Sequence, residues 1–522
     1  MKAKCSISKL FAASLISSVL TLSNTNAKFN WNDYYEITDI PIDENIDPQI
    51  GGLATMKDGK IIACFHRGEV AIYDPATKQW TTFANGLHEP LGIYVEEEGT
   101  ILVMQRAELT RLHDKNNDGK ADFYEVVCND WGMTGNYHEF GFGIVKDSKK
   151  NIYIALGTAS NGSGVRDEMR GKWNKAGGLT QEDFFNKGTS DEWKEKKKSV
   201  PRMYSRTPYR GCAIKIEPGN PKAIVYATGL RTPNGLYMDQ NDQLWITDNQ
   251  GDWVGSSKIH RIEENGFHGH PASLLWSKNP PQETPADLPP KKLDSMRIKA
   301  AALLPQGDAG NSITQPLNTS SNFLPITPDS AQEKEQLIVG EMNHPRLIRY
   351  MPEVVNGKTQ GASCHVIDTT KLLHGNNRLT YSTDGKSLYV GKTHLSWAGR
   401  EGIKKITYKG KPFLLAEQVR LTKTGFEFTF NAAITAPKLT DRYLVKSYGT
   451  DYHAAYGSKK VDEQTELIQN ITIVDNKLKI DLKTPPAAGK VYDITLSKKV
   501  SSELSDISSN RFWYTAHEVY GE

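Results

Sequence analysis

The chain has 522 residues and a formal charge of +3. That length admits one large all-β domain with a smaller partner, or two to three ordinary domains. Lys2, Lys4 and Lys9 carry that small positive excess, so the rest is close to neutral, which argues against nucleic acid as a partner because phosphate binding needs a basic excess or stripe.

At the N-terminus those three lysines precede the apolar run LFAASLISSVLTL and the small polar end SNTNA, Ser23 to Ala27. The pattern reads as a secretory signal peptide over residues 1–27, too short for a membrane anchor. It predicts an exported protein, periplasmic or extracellular. Cys5 lies before the apolar run instead of ending it, which argues against a lipoprotein anchor. No later segment approaches 18 consecutive apolar residues, so no transmembrane segment is expected. Cys64, Cys128, Cys212 and Cys364 are widely spaced with no CxxC. Disulfides and free buried thiols are both open readings. The absence of CxxCH excludes a c-type haem carried on this chain.

From residue 52 onward one pattern recurs: an apolar pair, a turn with Asp, Gly or Asn, an apolar strand, then a further strand. The copies are 52–74, 90–114, 139–157, 233–263, 323–352 and 379–408. Alternating strands rich in Ile, Val, Tyr and Leu, with DG, NG or ND turns, are strand-and-hairpin chemistry. Units of a few short strands bury their faces only by stacking around an axis, so the copies predict an all-β fold: a six-bladed β-propeller over 28–415. A β-sandwich with accidental internal similarity is the competing reading. Two inserts, 160–210 and 277–320, interrupt the copies, the first with a helix expected at Gln181–Lys197. Beyond residue 415 the DG repeat stops, and 416–522 predicts a small C-terminal β-sandwich of immunoglobulin or fibronectin type. Its RYLVKSYGTDYHAAYG stretch (442–457) is either a sugar-binding aromatic patch or a set of rings packed on the propeller.

Three stretches carry chemistry. DKNNDGKADFYE (114–125) satisfies D-x-[DN]-x-[DN]-G-x5-E. A hard cation wants six to eight oxygens, and Asp114, Asn116, Asp118, the Lys120 carbonyl, Asp122 and Glu125 would supply them to Ca2+. The flanks are strands, so the ion would staple a hairpin loop; a solvated acidic loop is the bland alternative. In GNYHEFGFGIVK, His138 precedes the first strand of the third copy, where inner-strand entrances line one channel mouth. A histidine there either takes a proton from a hydroxyl or simply bonds a backbone carbonyl. Arg231 enters the fourth copy in the same way. Asp248, Asn249, Gln250 and Asp252 follow its second strand, and His268 and His270 close the copy. Arg231 suits a planar carboxylate. The structural alternatives are an Arg231–Asp248 pair and a turn capped by His270.

HEFGFGIVKDSKKNIYIALG, with RGCAIKI, YATGLRTPNGLYMD, LWITDNQGD and KIHRIEENGFHGHP, resembles the glucose/sorbosone dehydrogenases, over residues 45–410. These are six-bladed propellers that use pyrroloquinoline quinone (PQQ), and the likeness is greatest to the exported sorbosone-dehydrogenase-like branch. The resemblance implies that His138 is the catalytic base and Arg231 holds the quinone. It places Asn234, Asp248, Asn249, Asp252, His268 and His270 around the cofactor. It also implies a sugar substrate and an external electron acceptor. Thr232 stands where the family has Asn, and Phe267–His268–Gly269–His270–Pro271 stands where it has NYGWP. Two other functions remain open on the residues alone. One is a non-catalytic calcium-binding propeller that binds polysaccharide or a protein. The other is a lyase or hydrolase of an acidic glycan, with His138 and a carboxylate, or Tyr137, acting and Arg231 neutralising the uronate.

Overall fold

The computed structural model describes residues 29–97, 99–160, 170–171, 202–282, 285–328, 336–394 and 399–521. The expected signal peptide and the expected helix at Gln181–Lys197 lie outside these residues. Among the described residues the chain is nearly all β, with Pro290–Met296 the one α-helix. Among the described residues no helix is long and apolar enough to cross a membrane.

Each sequence copy falls on an antiparallel four-stranded meander. The first is Ile50–Thr55, Ile61–Phe65, Val70–Asp74 and Gln79–Ala84. Its second strand, IIACF, is buried throughout, as expected where both sheet faces are covered, whereas the first four residues of QWTTFA at the outer edge face solvent wholly or in part. The second meander runs from Gly92–Glu97 to Phe123–Cys128, and the third from Gly141–Lys146 to Ile224–Ala227. The fourth runs from Gly235–Met238 to Ala302–Leu304, and the fifth from Ile313–Asn318 to Lys358–Val366. The expected insert 277–320 therefore contains two sheet strands, and the fifth meander starts at Ile313 instead of Phe323. Gln315 and Pro316 hide that strand in the sequence, and Pro316 marks a register shift against Leu337–Glu341.

The sixth sheet joins the two ends of this series. Asn376–Tyr381, Ser387–Lys392 and Gly402–Tyr408 are completed by Tyr35–Ile40, which pairs antiparallel with Gly402–Tyr408 from Tyr35↔Tyr408 to Ile40↔Ile403. Tyr35 is buried and its hydroxyl donates to the Phe323 carbonyl at 2.7 Å. The first strands of the six sheets touch one another in a closed cycle, 50–55 to 92–97, 141–146, 235–238, 313–318, 376–381 and back to 50–55. Glycine makes that approach possible: a Cβ on Gly92 would lie 1.6 Å from the Gly143 carbonyl oxygen, and one on Gly235 2.3 Å from Gln315 Cα.

At the axis sits Arg378, buried, on the first strand of the sixth sheet. Its Nε donates to the Gly51 carbonyl at 2.7 Å, Nη2 to the Leu91 carbonyl at 3.0 Å and Nη1 to the Asn234 carbonyl at 3.0 Å. Nη1 also reaches the side-chain oxygens of Asn234 (3.1 Å) and Asn377 (2.9 Å). One fork thus ties the sixth sheet to the entrances of the first, second and fourth, beside an axial cavity of about 30 Å³.

After the ring, 416–522 forms strands of two sheets. Ala416–Leu421, Gly425–Phe430, Lys477–Leu482 and Ile468–Val474 make one. Leu444–Thr450, Lys460–Thr465, Lys490–Thr495 and Arg511–Ala516 belong to the other. They pack face to face through contacts such as Phe426–Tyr492 and Phe428–Phe512, ring centroids 5.1 Å apart. The second sheet is continuous with the fifth meander, because Arg511–Ala516 pairs with Lys358–Val366 from Gly361↔Thr515 to Cys364↔Phe512. Periodicity within a segment carries no information on such a long-range join. Cys64, Cys128, Cys212 and Cys364 are free and buried.

Replacing the axial guanidinium is expected to be costly. Arg378→Met leaves three buried carbonyls without a donor, so a loss of at least ~3 kcal/mol in urea unfolding is predicted, at about 1–3 kcal/mol per unsatisfied group. Arg378→Lys should recover only part, since an ammonium lacks the fork. An unchanged unfolding midpoint for Arg378→Met would contradict the role assigned to it.

Candidate active site

The loop entering the third sheet meets the loop entering the fourth at one mouth of the ring. His138 is buried in the first loop, and its Nδ1–H donates to the Thr158 carbonyl at 3.0 Å. A carbonyl only accepts, so the neutral ring carries its proton on Nδ1 and presents Nε2 as an acceptor. Nε2 lies 3.4 Å from the Thr232 hydroxyl, whose oxygen accepts from Arg231 Nη1 at 3.1 Å. Burial, reinforced by the positive charge of Arg231, pushes the His138 pKa down to about 3. The imidazole is therefore an unprotonated acceptor at neutral pH.

Backbone contacts lock the two loops together. The Thr158 N–H and hydroxyl both donate to the Arg231 carbonyl, at 3.0 and 3.1 Å. Asn136 accepts from the His138 N–H at 3.0 Å and the Ser160 N–H at 3.1 Å. Arg106 supports the same turn, donating to the carbonyls of Asn136 (3.0 Å) and Tyr137 (3.1 Å) while paired with Glu89. Tyr137 is half exposed, with its ring edge-on to His138 at 5.7 Å.

Asp248 is spent on protein donors. It accepts from the Arg231 N–H at 3.1 Å and the Thr232 N–H at 2.6 Å, with Lys258 Nζ at 3.3 Å. The expected Arg231–Asp248 pair exists, but through the backbone amide, which leaves the guanidinium free of it. Asn249 belongs to the same knot: its carbonyl accepts from Lys258 at 2.7 Å and its side chain donates to Ser312 at 3.2 Å. Asp252 pairs with Arg202 at 2.7 Å. Burial lowers the Arg231 pKa, against the pull of Asp252 and Asp248. Its Nε has no hydrogen-bond partner among the described residues.

Three predicted neighbours have other partners. Asn234 turns to the axis, where it meets Arg378 and donates to Asn377 at 3.2 Å. His268 packs edge-on against His260, ring centroids 5.1 Å apart. His270 accepts from the Ala272 N–H at 3.3 Å and so caps Pro271–Trp276, the structural alternative named above.

The 114–125 loop is shaped by its own carboxylates. Asp114 accepts from the Asp118 and Gly119 amides at 3.2 and 2.9 Å, and Asp122 from the Lys115 amide at 2.8 Å. The Asn116 amide stands 3.3 Å from Asp118 and 3.2 Å from Asp122. Glu125 is not brought to this cluster. It lies in the strand Phe123–Cys128 and binds Arg111 at 3.1 Å and His113 at 2.8 Å. No group of three or more His, Cys, Asp or Glu side chains among the described residues is placed to hold a metal ion.

Sequence reasoning missed Thr158, Asn136, Arg106, Lys258 and Arg202. Lys258 lies in the SKIHR strand, whose first four residues are buried, which demands a partner for its ammonium. Arg202, placed by long-range folding, had no readable signal.

A family model described as a domain of unknown function, DUF7133, matches residues 71–199. No curated protein matches the chain. Among solved structures the chain is similar to the putative oxidoreductase (glucose dehydrogenase) of Thermus thermophilus. The identity is 14% and the TM-score 0.46, over 71% of this chain and 99% of that one. It is also similar to the PQQ-bound aldose sugar dehydrogenase of Streptomyces coelicolor, at 13% identity and TM-score 0.44, over 72% and 98%. The PQQ domain of pyranose dehydrogenase from Coprinopsis cinerea is similar at 11% identity and TM-score 0.46, over 72% and 95%.

Burial also lowers His66, His268 and His517 to about 4, and His365 to about 3, alongside His138. Their folded values lie below the ordinary imidazole value near 6.5. The unfolded chain then binds more protons between the two values, so this stabilisation is full above pH ~6.5 and is lost as pH falls towards ~3. Thermal unfolding is predicted to move steadily down from pH 6.5 to 4. A flat profile across that window would contradict neutral burial of these rings.

Proposed function

We propose that the chain is an exported, sugar dehydrogenase-like oxidoreductase. Its scaffold in this reading is a six-bladed propeller (28–415) followed by a β-sandwich (416–522), with PQQ taken at the mouth that holds His138. The observation that carries the reading is the pairing of a neutral histidine, its Nε2 kept as an acceptor, with a buried guanidinium whose Nε has no partner among the described residues. A polyanionic planar cofactor suits that donor, since Arg binds carboxylates through its fork. When bound, PQQ supplies a quinone that accepts hydride from the sugar carbon and is reoxidised by an external electron acceptor.

In this reading a sugar hydroxyl donates its proton to His138 Nε2. The Thr158 carbonyl holds the ring in the required tautomer and stabilises the imidazolium that forms. Burial and, to a smaller extent, Arg231 weaken His138 as a base, and a carboxylate on Arg231 relieves the smaller, electrostatic part of that penalty. Thr232, between the two, transmits the contact. Arg106 and Asn136 hold the turn in place, and Asp248 aligns the amides of 231 and 232.

For calcium, we propose a scaffold role at the 114–125 loop using Asn116 through its amide oxygen, Asp118, Asp122 and the Lys120 carbonyl, with Asp114 shaping the turn. Glu125 stays with Arg111 and His113. A calcium-dependent rise in melting temperature is expected to vanish in Asp118→Ala and persist in Glu125→Gln. Loss of the rise in Glu125→Gln would restore the six-ligand shell.

The function is tested by adding PQQ and calcium to the purified protein and following dye reduction with a panel of aldoses. His138→Gln should lower kcat by about 10²–10⁴-fold, the usual contribution of a positioned base. Absence of PQQ binding by titration sinks the reading. Sugar cleavage without an electron acceptor would point instead to a lyase or hydrolase.

A further inference from the structure

The C-terminal strands do more than pack behind the ring. Tyr452–Tyr456 leaves its own sheet and pairs antiparallel with Asp252–Val254, from Asp252↔Tyr456 to Val254↔Tyr452. The join is tight. A Cβ on Gly255 would lie 2.2 Å from the Ser458 amide nitrogen, and Gly457 donates to the Gly251 carbonyl at 3.0 Å. Tyr452 anchors the ribbon, with its ring 5.3 Å from Trp253 and its hydroxyl donating to the Gly269 carbonyl at 2.6 Å.

Tyr456 is placed differently. Its ring lies beneath Arg202, 4.2 Å from ring centre to guanidinium carbon, and 5.7 Å from that of Arg231. Gln250 donates to its hydroxyl at 3.0 Å, yet the side chain remains 49% exposed. Two guanidiniums repel, and here they are gathered by an aromatic face and by Asp252, which pairs with Arg202. Arg231 is 7% exposed, with Nε unpartnered among the described residues. Arg202, Arg231 and Lys258 exceed Asp248 and Asp252 by one charge, with His138 neutral, so the cluster has room for one anionic group.

We propose that Tyr456 and Arg202 complete, with Arg231, a carboxylate subsite, so that the C-terminal region is an obligatory part of the site. Tyr456 is a positioning residue that holds the two guanidiniums side by side. The carboxylate comes from a bound quinone cofactor or from an acidic sugar. The first source rests on the oxidoreductase reading; the second does not.

The test titrates the full chain with PQQ and, separately, with galacturonate, in wild type, Tyr456→Ala, Tyr456→Phe and Arg231→Met. At least one carboxylate should bind wild type. Tyr456→Ala should weaken it about tenfold through loss of the cation–π face, whereas Tyr456→Phe, which keeps the ring, stays within about threefold. Melting temperature checks that the half-exposed site tolerates both changes. Galacturonate binding without PQQ binding, with the same Tyr456 dependence, supports the subsite and removes the quinone reading. PQQ binding that Tyr456→Ala leaves unchanged, but Arg231→Met abolishes, overturns the role of Tyr456 and keeps the quinone reading. Failure of wild type to bind either carboxylate overturns the subsite.

Discussion

At the axis of the ring, one guanidinium does what a set of narrowing strands cannot do for itself. Six first strands converge, with glycines such as Gly92 and Gly235 where backbones come closest, and carbonyls at their entrances face Arg378. Arg378 answers them with donors aimed at Gly51, Leu91 and Asn234, and its described acceptors include no carboxylate. Burial lowers its pKa only to about 10, so it remains charged at neutral pH and its donors stay in place. A lysine would offer a mobile point charge; the planar fork sets directions.

The site depends on that geometry. The segments carrying His138 and Arg231 lead directly into first strands of the cycle, so their spacing is inherited from the ring. Most of the polar contacts around them are spent on holding backbone, with Asp248 the clearest case. Among the described residues the Nε of Arg231 has no partner, His138 Nε2 faces only the Thr232 hydroxyl, and the rings of Tyr137 and Tyr456 stay half exposed beside them.

The repeat was legible because hairpin turns and alternating strands are local. The copies fall on sheet strands, but Ala302–Leu304 and Ile313–Asn318 lie in the expected insert, the second hidden where Gln315 and Pro316 break the apolar pattern. His138 and Arg231 were legible from their positions before inner strands. Their partners were not: Thr158 is 20 residues from His138, and Tyr456 reaches its guanidiniums through a strand pairing across the chain. Glu125 shows the converse. A spacing pattern promised a ligand, but cross-strand contacts with Arg111 and His113 claimed the side chain. The aromatic stretch 442–457 was offered as packing or as ligand surface, and the structure divides it: Tyr452 packs, while Tyr456 stays half exposed beside the candidate site.

His138 is held neutral, with its proton on Nδ1 and Nε2 an acceptor facing the Thr232 hydroxyl. Nitrogen-15 NMR of histidine-labelled protein reads that state directly. The account predicts an Nδ1-protonated neutral signal for His138, identified by its loss in His138→Gln, that does not titrate between pH 8 and about 5. Titration near the ordinary imidazole value of about 6.5, or an Nε2-protonated ring, would contradict it.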